Sequence, residues 1–218
     1  MIRRIIEDKI GESLSRGKTV TIIGPRQVGK STLARTVIPK DAKVLELNGD
    51  STDIQGMFLD VNETGLKLLV GDNDFVFVDE AQKIGNIGNM LKIVSDKMKG
   101  VKLIVTGSSA FKLTSAINES LTGRKREFKL YPLSFKEMVN HTSLLEEQRM
   151  LEHRMIYGYY PEVVTSPGDE NETIREIIDS YLYKDVMEEN SNKNAYIAST
   201  QRDLIAGEVS KDLTKRLL

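Results

Sequence analysis

Residues 18–34 read KTVTIIGPRQVGKSTLA, which is a short β-branched run, a glycine-rich turn and the start of a helical pattern. The turn matches the spacing GxxxxGK[ST], whose fixed positions are Gly24, Gly29, Lys30 and Ser31. Glycines at these positions let the backbone curl, so that successive N–H groups point inward at phosphate oxygens. The helix that follows adds its positive dipole end. This stretch therefore predicts a phosphate-binding loop between a strand and a helix.

The last two motif residues carry the expected phosphate chemistry. Lys30 would place a cation on the β- and γ-phosphates of a nucleotide, and Ser31 would offer a hydroxyl ligand to Mg²⁺. We expect Lys30 to face solvent without a packing role, so that its removal would leave the fold intact. The residues expected to contact the nucleotide span the loop and the first helical turn: Gly24, Pro25, Arg26, Gln27, Val28, Gly29, Lys30, Ser31 and Thr32.

Short apolar runs alternate with helical patterns through the first part of the chain. Three further runs, almost free of polar residues, lie at 44–47, 75–78 and 101–105. Strands buried on both faces have this composition and belong to parallel sheets. Helical patterns lie at 30–38, 61–70 and 87–98. The sequence therefore predicts an α/β fold, a P-loop NTPase three-layer sandwich with a parallel central sheet. We expect the polar, glycine-containing segment 48–60 to be a mobile surface loop.

The pattern changes after a fifth predicted strand at 127–131. The blocks 134–160 and 170–208 read as helical, with long charged stretches and no buried-strand pattern. We therefore predict two domains, a nucleotide-binding core over 1–133 and a helical subdomain over 134–218.

An acidic pair, Asp79 and Glu80, directly follows the third predicted strand. Sheets of this type place their ligands at the carboxyl ends of their strands. Asp79 would hold Mg²⁺ through water, and Glu80 would polarise the attacking water as a general base. Alone, such a pair is more often a solvated turn. Its position after a phosphate loop makes ATP hydrolysis the leading hypothesis.

Hydroxyl side chains end the fourth predicted strand, at Thr106, Ser108 and Ser109. In such sheets this strand lies between the other two motif-bearing strands, so its polar end would face the γ-phosphate. We expect Thr106 or Ser108 to hydrogen-bond the phosphate or the attacking water. A helix N-cap is the alternative interpretation, above all for Ser109, because hydroxyl residues are favoured there.

Arg124 stands in a basic turn before the fifth strand, in the segment LTGRKR. We expect it at the far edge of the sheet from the phosphate loop, where it would reach the γ-phosphate of a neighbouring subunit. The alternative is a solvated surface charge, which is common for basic turns. Arg126 is the substitute candidate, although strand alternation would turn it toward solvent.

Composition excludes several kinds of site. The 218 residues include no Cys and 2 His, which rules out disulfides, thiol catalysis and cysteine-ligated zinc. The chain has no run of about 18 apolar residues, and its start reads as an amphipathic helix, so we expect a cytoplasmic protein with no membrane contact. The net charge of −1 leaves nucleic acid as a partner only through a local basic patch.

Taken in order, these motifs resemble one widespread group of prokaryotic AAA+-related ATPases, similar to archaeal and STAND-type ATPases. The resemblance runs from about Arg4 to Val186 and rests on GPRQVGKST, FVFVDEAQ, LIVTGSSA, LTGR with YPLSF, GYYPEVV and YLYKDV. It implies ATP and Mg²⁺ as ligands, with Lys30 and Ser31 as the phosphate and magnesium residues. It likewise implies that Asp79 and Glu80 act on magnesium and water, and that residues 106–109 form the sensor region.

The resemblance also implies roles for Arg124 and Pro161. Arg124 matches the arginine that follows the group's glycine, and Gly158-Tyr159-Tyr160-Pro161 resembles a GGxP element whose proline lies near adenine. Here Tyr159 replaces the second glycine. Members of the group usually continue well beyond the position of Leu218, so the resemblance implies a truncated form or a shortened gene product, and a protein partner of unknown kind for the missing region.

Two functions from different classes follow. One is an ATPase that couples hydrolysis to a conformational or assembly change. If Arg124 acts on a neighbouring subunit, this ATPase would be a homo-oligomer. The other is a non-hydrolysing nucleotide-binding switch. Glu80 favours the first, because binding alone needs no base. A small-molecule kinase shares the phosphate loop but fits the acidic pair less well, and the absence of an NKxD motif argues against a GTPase.

Overall fold

A parallel sheet of five strands forms the centre of the fold. In chain order the strands are β1 (Thr19–Ile23), β2 (Val44–Asn48), β3 (Phe75–Asp79), β4 (Lys102–Gly107) and β5 (Lys125–Lys129). Their order across the sheet is β2-β3-β4-β1-β5, and every neighbouring pair is parallel. The predicted parallel sheet is confirmed, and β4 lies between β1 and β3 as expected.

This computed structural model describes residues 1–58, 62–107 and 121–189, with side chains described as far as 179. The helices are α1 (Glu7–Ser15), α2 (Lys30–Val37), α3 (Thr52–Met57), α4 (Glu63–Val70), α5 (Ile87–Lys97), α6 (Phe135–His141), α7 (Leu144–Arg149), α8 (Leu151–Tyr157), α9 (Pro161–Thr165) and α10 (Glu170–Glu189). Over these residues, no helix is both long and apolar enough to cross a membrane.

Contacts divide the chain into two compact units, Met1–Pro167 and Gly168–Leu218. The first contains the whole sheet and the helices α1 to α9, and the second contains α10. The domain boundary near residue 133 stays a prediction, and the predicted helical block 170–208 extends past the described residues after Glu189.

Each face of the sheet carries an apolar cluster, because successive residues of a strand point to opposite faces. Val76, Val78 and Val105 belong to one cluster, which is covered by α4 and α5. Phe77 and Ile104 belong to the other, which is covered by α1 and α2. Strands with both faces buried read as continuous apolar runs. The three layers predicted for the sandwich are therefore present.

Part of the prediction for segment 48–60 is wrong. Thr52–Met57 form α3, and Phe58 just after it is 1% exposed. Ile54 and Phe58 stand four residues apart and both pack into the cluster under α4 and α5, as residues on one helix face do. Only two apolar residues anchor this helix, and Gly56 stands between them, so the sequence shows no helical spacing of apolar residues there. The fifth strand also begins earlier than predicted, at Lys125.

Candidate nucleotide site

The loop between β1 and α2 is curled and held on two sides. Gly29 has a φ of 89° and Gln27 a φ of 60°, two left-handed positions that turn the chain back on itself. The Gly24 N–H donates to the carbonyl of Gly107 at 3.4 Å, at the end of β4. A Cβ on Gly24 would lie 2.0 Å from the carbonyl oxygen of Leu130. Only glycine at position 24 lets the loop start this close to the chain that leaves β5.

Lys30 is buried, so the expectation that it faces solvent is wrong. It is 5% exposed, and its Nζ donates to the carbonyl oxygens of Gly24 at 3.0 Å and Pro25 at 2.6 Å. The curl of the loop makes these carbonyls converge on the ammonium group. Lys30 therefore stabilises the loop as well as supplying a cation, and its removal would cost two hydrogen bonds in addition to the charge.

Asp79 and Thr106 meet at the carboxyl ends of β3 and β4. The Thr106 hydroxyl donates to the Asp79 carboxylate and lies 3.5 Å from the carbonyl oxygen of Val78. The register pairs Val78 with Val105, which brings the next residue of each strand to the same level. Thr106 is fully buried. We expected its hydroxyl to bond the phosphate or the attacking water, whereas in the structure it orients the Asp79 carboxylate.

Glu80 has a left-handed backbone, with a φ of 48° and a ψ of 44°. Its carboxylate accepts a hydrogen bond from Gln82 Nε2 at 2.5 Å. Gly49, just after β2, donates its N–H to the Asp79 carbonyl at 2.8 Å. A Cβ on Gly49 would lie 2.3 Å from the Glu80 carbonyl oxygen. The acidic pair is thus held in place by Gly49 after β2 and by Gln82 in the turn that follows the pair.

Sequence reasoning missed both Gly49 and Gln82. The available signals were a glycine two residues after the second apolar run and an amide two residues beyond Glu80. Neither signal indicates a contact by itself. Gly49 follows β2, and the residues that it contacts lie at the end of β3, far away in the sequence.

A cavity of about 170 Å³ with a mostly apolar lining lies beside the phosphate loop. Its lining includes Val28, Gly29 and Thr32 from the loop and α2, Leu133 and Pro161 from the chain after β5, and Met1, Ile2 and Arg4 from the N-terminal segment. The Leu133 N–H donates to the Tyr159 carbonyl at 2.8 Å, which fixes the segment before Pro161. Pro161 and the loop therefore border one space, where the adenine-binding role of Pro161 stays a prediction.

A model of an AAA domain family matches residues 16–139. That span is more than half of the chain and contains all five strands of the sheet. The chain belongs to this AAA domain family. The predicted kinship with prokaryotic AAA-type P-loop ATPases is confirmed.

Individual relatives of the chain are distant. The chain is 27% identical to an uncharacterized protein of Methanocaldococcus jannaschii over 93% of its own length and 49% of the relative. It is 31% identical to the tRNA modification GTPase MnmE of Rickettsia akari over 54% of the chain and 26% of the relative. The chain thus spans about half the length, or less, of these curated relatives.

A solved structure shares the fold of the AAA domain. The Walker-type ATPase of Pyrococcus abyssi superposes with a TM-score of 0.51 at 18% identity, covering 99% of this chain and 76% of that one. At that identity the likeness bears on the fold alone.

The other residues predicted to contact the nucleotide or Mg²⁺ differ in their exposure and in the atoms that a ligand could reach. Ser31 is half-buried in the first turn of α2, and Thr32 is exposed. The Val28 side chain is fully buried, so its backbone is the part available to a ligand. Within the described ranges, no group of three or more His, Cys, Asp or Glu side chains could hold a metal. The donors Ser31 and Asp79 fit Mg²⁺, which usually takes one or two carboxylates and completes its shell with phosphates and water.

Arg124 lies where the strands of the sheet begin, opposite the edge at which they end and the phosphate loop lies. Its carbonyl accepts the N–H of Thr19, at the start of β1, at 3.0 Å, whereas the phosphate loop follows the end of β1. Its guanidinium pairs with Asp96 of α5 at 2.7 Å, and its side chain is 47% exposed. Arg126 is exposed as well. Ser108 and Ser109, the other sensor candidates, lie outside the described residues.

Proposed function

We propose that this AAA domain binds ATP with Mg²⁺, hydrolyses the bond between the β- and γ-phosphates, and couples that step to a conformational or assembly change. The observation that carries the proposal is a connected set of contacts at one edge of the sheet. Lys30 contacts Gly24, Gly24 contacts Gly107 at the end of β4, and the neighbouring Thr106 contacts Asp79. These contacts bring three motifs that are far apart in the chain to one edge of the sheet, which supports a shared site.

Each group of this site has a chemical role in the proposed reaction. Lys30 and the loop N–H groups bind the phosphate oxygens, and Ser31 and Asp79 would hold Mg²⁺, which neutralises phosphate charge when bound. Glu80 accepts a proton from water as the water oxygen bonds to the γ-phosphorus. The bond from that phosphorus to the bridging oxygen breaks, ADP leaves with the electron pair, and the proton passes to solvent.

The cavity beside the loop has an apolar lining that includes Pro161, and a flat base buries well against such a surface. This supports a nucleotide base in the cavity and does not separate adenine from guanine. The feature that favours ATP over GTP is that the sequence lacks the NKxD motif that reads guanine. Because one relative is named a GTPase, GTP is the comparison that any binding measurement needs.

A non-hydrolysing regulatory switch is the second candidate. The observation that favours it is the hydrogen bond from Gln82 to the Glu80 carboxylate, because this bond takes one of about four lone-pair positions at which the carboxylate accepts and so competes with the attacking water. Turnover separates the two candidates, since both predict binding and only the first predicts phosphate release.

The test is calorimetric titration with ATP·Mg²⁺ and with GTP·Mg²⁺, followed by turnover measured at several protein concentrations. We expect ATP to bind more tightly than GTP and to be hydrolysed. Lys30→Ala should weaken ATP binding by about 30- to 150-fold, because it removes a charge-assisted contact worth about 2–3 kcal/mol. It should also lower the melting temperature, since Lys30 bonds to the loop.

Lys40→Ala is the matched control, because Lys40 is exposed just beyond α2, and it should bind ATP as the parent does. Undiminished affinity in Lys30→Ala would contradict the site. Binding without phosphate release at any protein concentration would favour the switch.

A further inference from the structure

Arg4 is a buried arginine in the segment before α1, with its side chain 9% exposed. Its Nε donates to Glu137 Oε1 of α6 at 3.0 Å. Its Nη1 donates to the carbonyl of Val28 in the phosphate loop at 3.0 Å. Its Nη2 donates to the carbonyl of Tyr131, just after β5, at 2.5 Å. One guanidinium therefore ties three separate segments to the start of the chain.

The orientation of Arg4 is set by Glu137, which is 5% exposed. Glu137 Oε1 also accepts the Ile5 N–H at 2.9 Å. Oε2 accepts the N–H and the hydroxyl of Ser134 at 2.8 and 3.0 Å. Burial by itself raises the pKa of Glu137, but the N–H groups of Ser134 and Ile5 and the charge on Arg4 outweigh it, so the pKa lies below its ordinary value. The carboxylate is therefore charged at neutral pH and holds the guanidinium in place.

The contact with Val28 has a direct consequence for the phosphate loop. In a trans peptide the carbonyl of one residue and the N–H of the next point in opposite directions across a rigid plane. A guanidinium that fixes the direction of the Val28 carbonyl therefore fixes the opposite direction for the Gly29 N–H. Gly29 belongs to the part of the motif whose N–H groups are expected to bind phosphate.

The two ends of the loop are held against the same piece of chain. At the start of the loop, Gly24 approaches the Leu130 carbonyl too closely for any side chain. Near its end, Val28 is joined through Arg4 to Tyr131, the residue after Leu130. The chain leaving β5 thus serves as a common support, and Arg4 supplies the second of the two attachments.

We propose that Arg4 is a positioning residue for phosphate binding: by holding the Val28 carbonyl, it keeps the loop in the conformation that accepts the nucleotide's phosphates. This inference rests on the proposed function, because it assigns Arg4 to the same site. It adds a residue that precedes Gly24, the first residue of the phosphate loop, by twenty positions and is not in any nucleotide-binding motif of the sequence.

Arg3 provides the matched control. It is the neighbouring arginine, its side chain is 71% exposed, and it pairs on the surface with Glu7 and Asp8. Arg3→Gln removes the same group as Arg4→Gln and changes the net charge equally. A difference between the two variants therefore reports the contacts of Arg4 and not the loss of a positive charge near the site.

The experiment is calorimetric titration of the parent, Arg3→Gln, Arg4→Gln and Arg4→Lys with ATP·Mg²⁺ and with tripolyphosphate·Mg²⁺. Tripolyphosphate lacks a base and so probes the loop alone. We expect Arg4→Gln to bind both ligands about tenfold more weakly, as losing one charge-assisted hydrogen bond would produce. Arg3→Gln should bind both as the parent does.

Arg4→Lys covers the case in which Arg4→Gln does not fold. It keeps the charge facing Glu137, but one ammonium group cannot reach both carbonyls, so it should still lose affinity for both ligands. Parental affinity in a folded Arg4→Lys or Arg4→Gln would overturn the inference. A loss of ATP affinity alone would overturn it too, because it would place the effect at the cavity wall. If the parent binds neither ligand, the proposed function fails instead.

Discussion

The motif residues at the two edges of the parallel sheet, the carboxyl edge where its strands end and the amino edge where they begin, differ in burial and in bonding. At the carboxyl edge Lys30, Asp79 and Thr106 are bonded to neighbouring loops or to each other, and Lys30 and Thr106 are buried. At the amino edge Arg124 is half-exposed and paired with Asp96. β1 separates the edges, and its five residues span about 17 Å at about 3.3 Å per residue. The motif residues of the carboxyl edge are thus fixed by contacts within the chain, whereas the arginine of the amino edge is half-exposed to solvent.

The contacts at the two edges differ in how much each contributes to stability. An exposed ion pair such as Arg124 with Asp96 contributes about 0–1 kcal/mol to stability, so its loss is not expected to disturb the fold. Buried, hydrogen-bonded groups at the carboxyl edge cost more to remove, because their partners are left unsatisfied. Changes at the carboxyl edge should therefore alter both the site and the stability, and changes at the amino edge should alter function alone.

The largest expected effect tests the chemistry at the carboxyl edge. Glu80→Gln keeps the size of the side chain and removes the base, so hydrolysis should fall by about 10²–10⁴-fold while ATP binding persists. Phosphate release and calorimetric affinity are measured on the same preparation. Glu152→Gln, at an exposed position of α8, is the control and should match the parent. Parental turnover in Glu80→Gln would make the switch, or another base, the better interpretation.

The next effect tests whether the amino edge completes a neighbour's site. Arg124→Ala should bind ATP normally and keep the parental melting temperature, yet lose up to about 10³-fold in turnover if subunits assemble. Guanidinium suits this role because it stays charged and donates to two phosphate oxygens at once. Mixing Arg124→Ala with Lys30→Ala should restore some activity, since each supplies what the other lacks.

The controls for Arg124 come from its own surroundings. Asp96→Ala removes the pairing carboxylate and should retain turnover, because it leaves the arginine in place. Loss of turnover in Arg126→Ala but not in Arg124→Ala would move the role to the substitute candidate. Mixing without rescue at any ratio, together with a monomeric mass in solution with and without ATP, would make Arg124 an ordinary surface residue.

A smaller effect tests the support from β2. Gly49→Ala places a Cβ 2.3 Å from the Glu80 carbonyl oxygen, so the backbone beside the acidic pair must shift, at a cost of about 1–3 kcal/mol. We expect a lower melting temperature and a fall in turnover of about tenfold, with ATP affinity largely kept. Turnover equal to the parent's in a folded Gly49→Ala would show that Glu80 does not depend on this contact.

Gly56→Ala is the matched control for Gly49→Ala. Gly56 lies in α3, and a Cβ there would meet nothing within 4 Å. Replacing a helical glycine by alanine should stabilise the protein by about 0.5–1 kcal/mol, with no change in turnover. The pair of variants separates close backbone approach from a general effect of removing glycine.

The sequence predicted the sheet well because the relevant signals are local. A buried strand is a continuous apolar run, and the phosphate loop has a fixed glycine spacing, so both are visible within a few neighbouring residues. The acidic pair after β3 was identifiable for the same reason. The prediction of a loop over 48–60 was wrong where α3 forms, because only Ile54 and Phe58 anchor that helix and two residues are too few to show a helical period.

Residue type and spacing were therefore enough to predict the order of strands and helices along the chain, the phosphate loop and the candidate residues for binding a nucleotide. Three features follow from the tertiary structure and not from any local pattern: the burial of Lys30, the hydrogen bond from Thr106 to Asp79 and the close approach of Gly49 to Glu80. The tertiary structure also joined Arg4 to Glu137 across 133 positions of the chain. Such contacts depend on which segments the folded sheet brings side by side, and a buried polar group takes the partner that geometry places within hydrogen-bonding distance, however far away that partner is in the sequence.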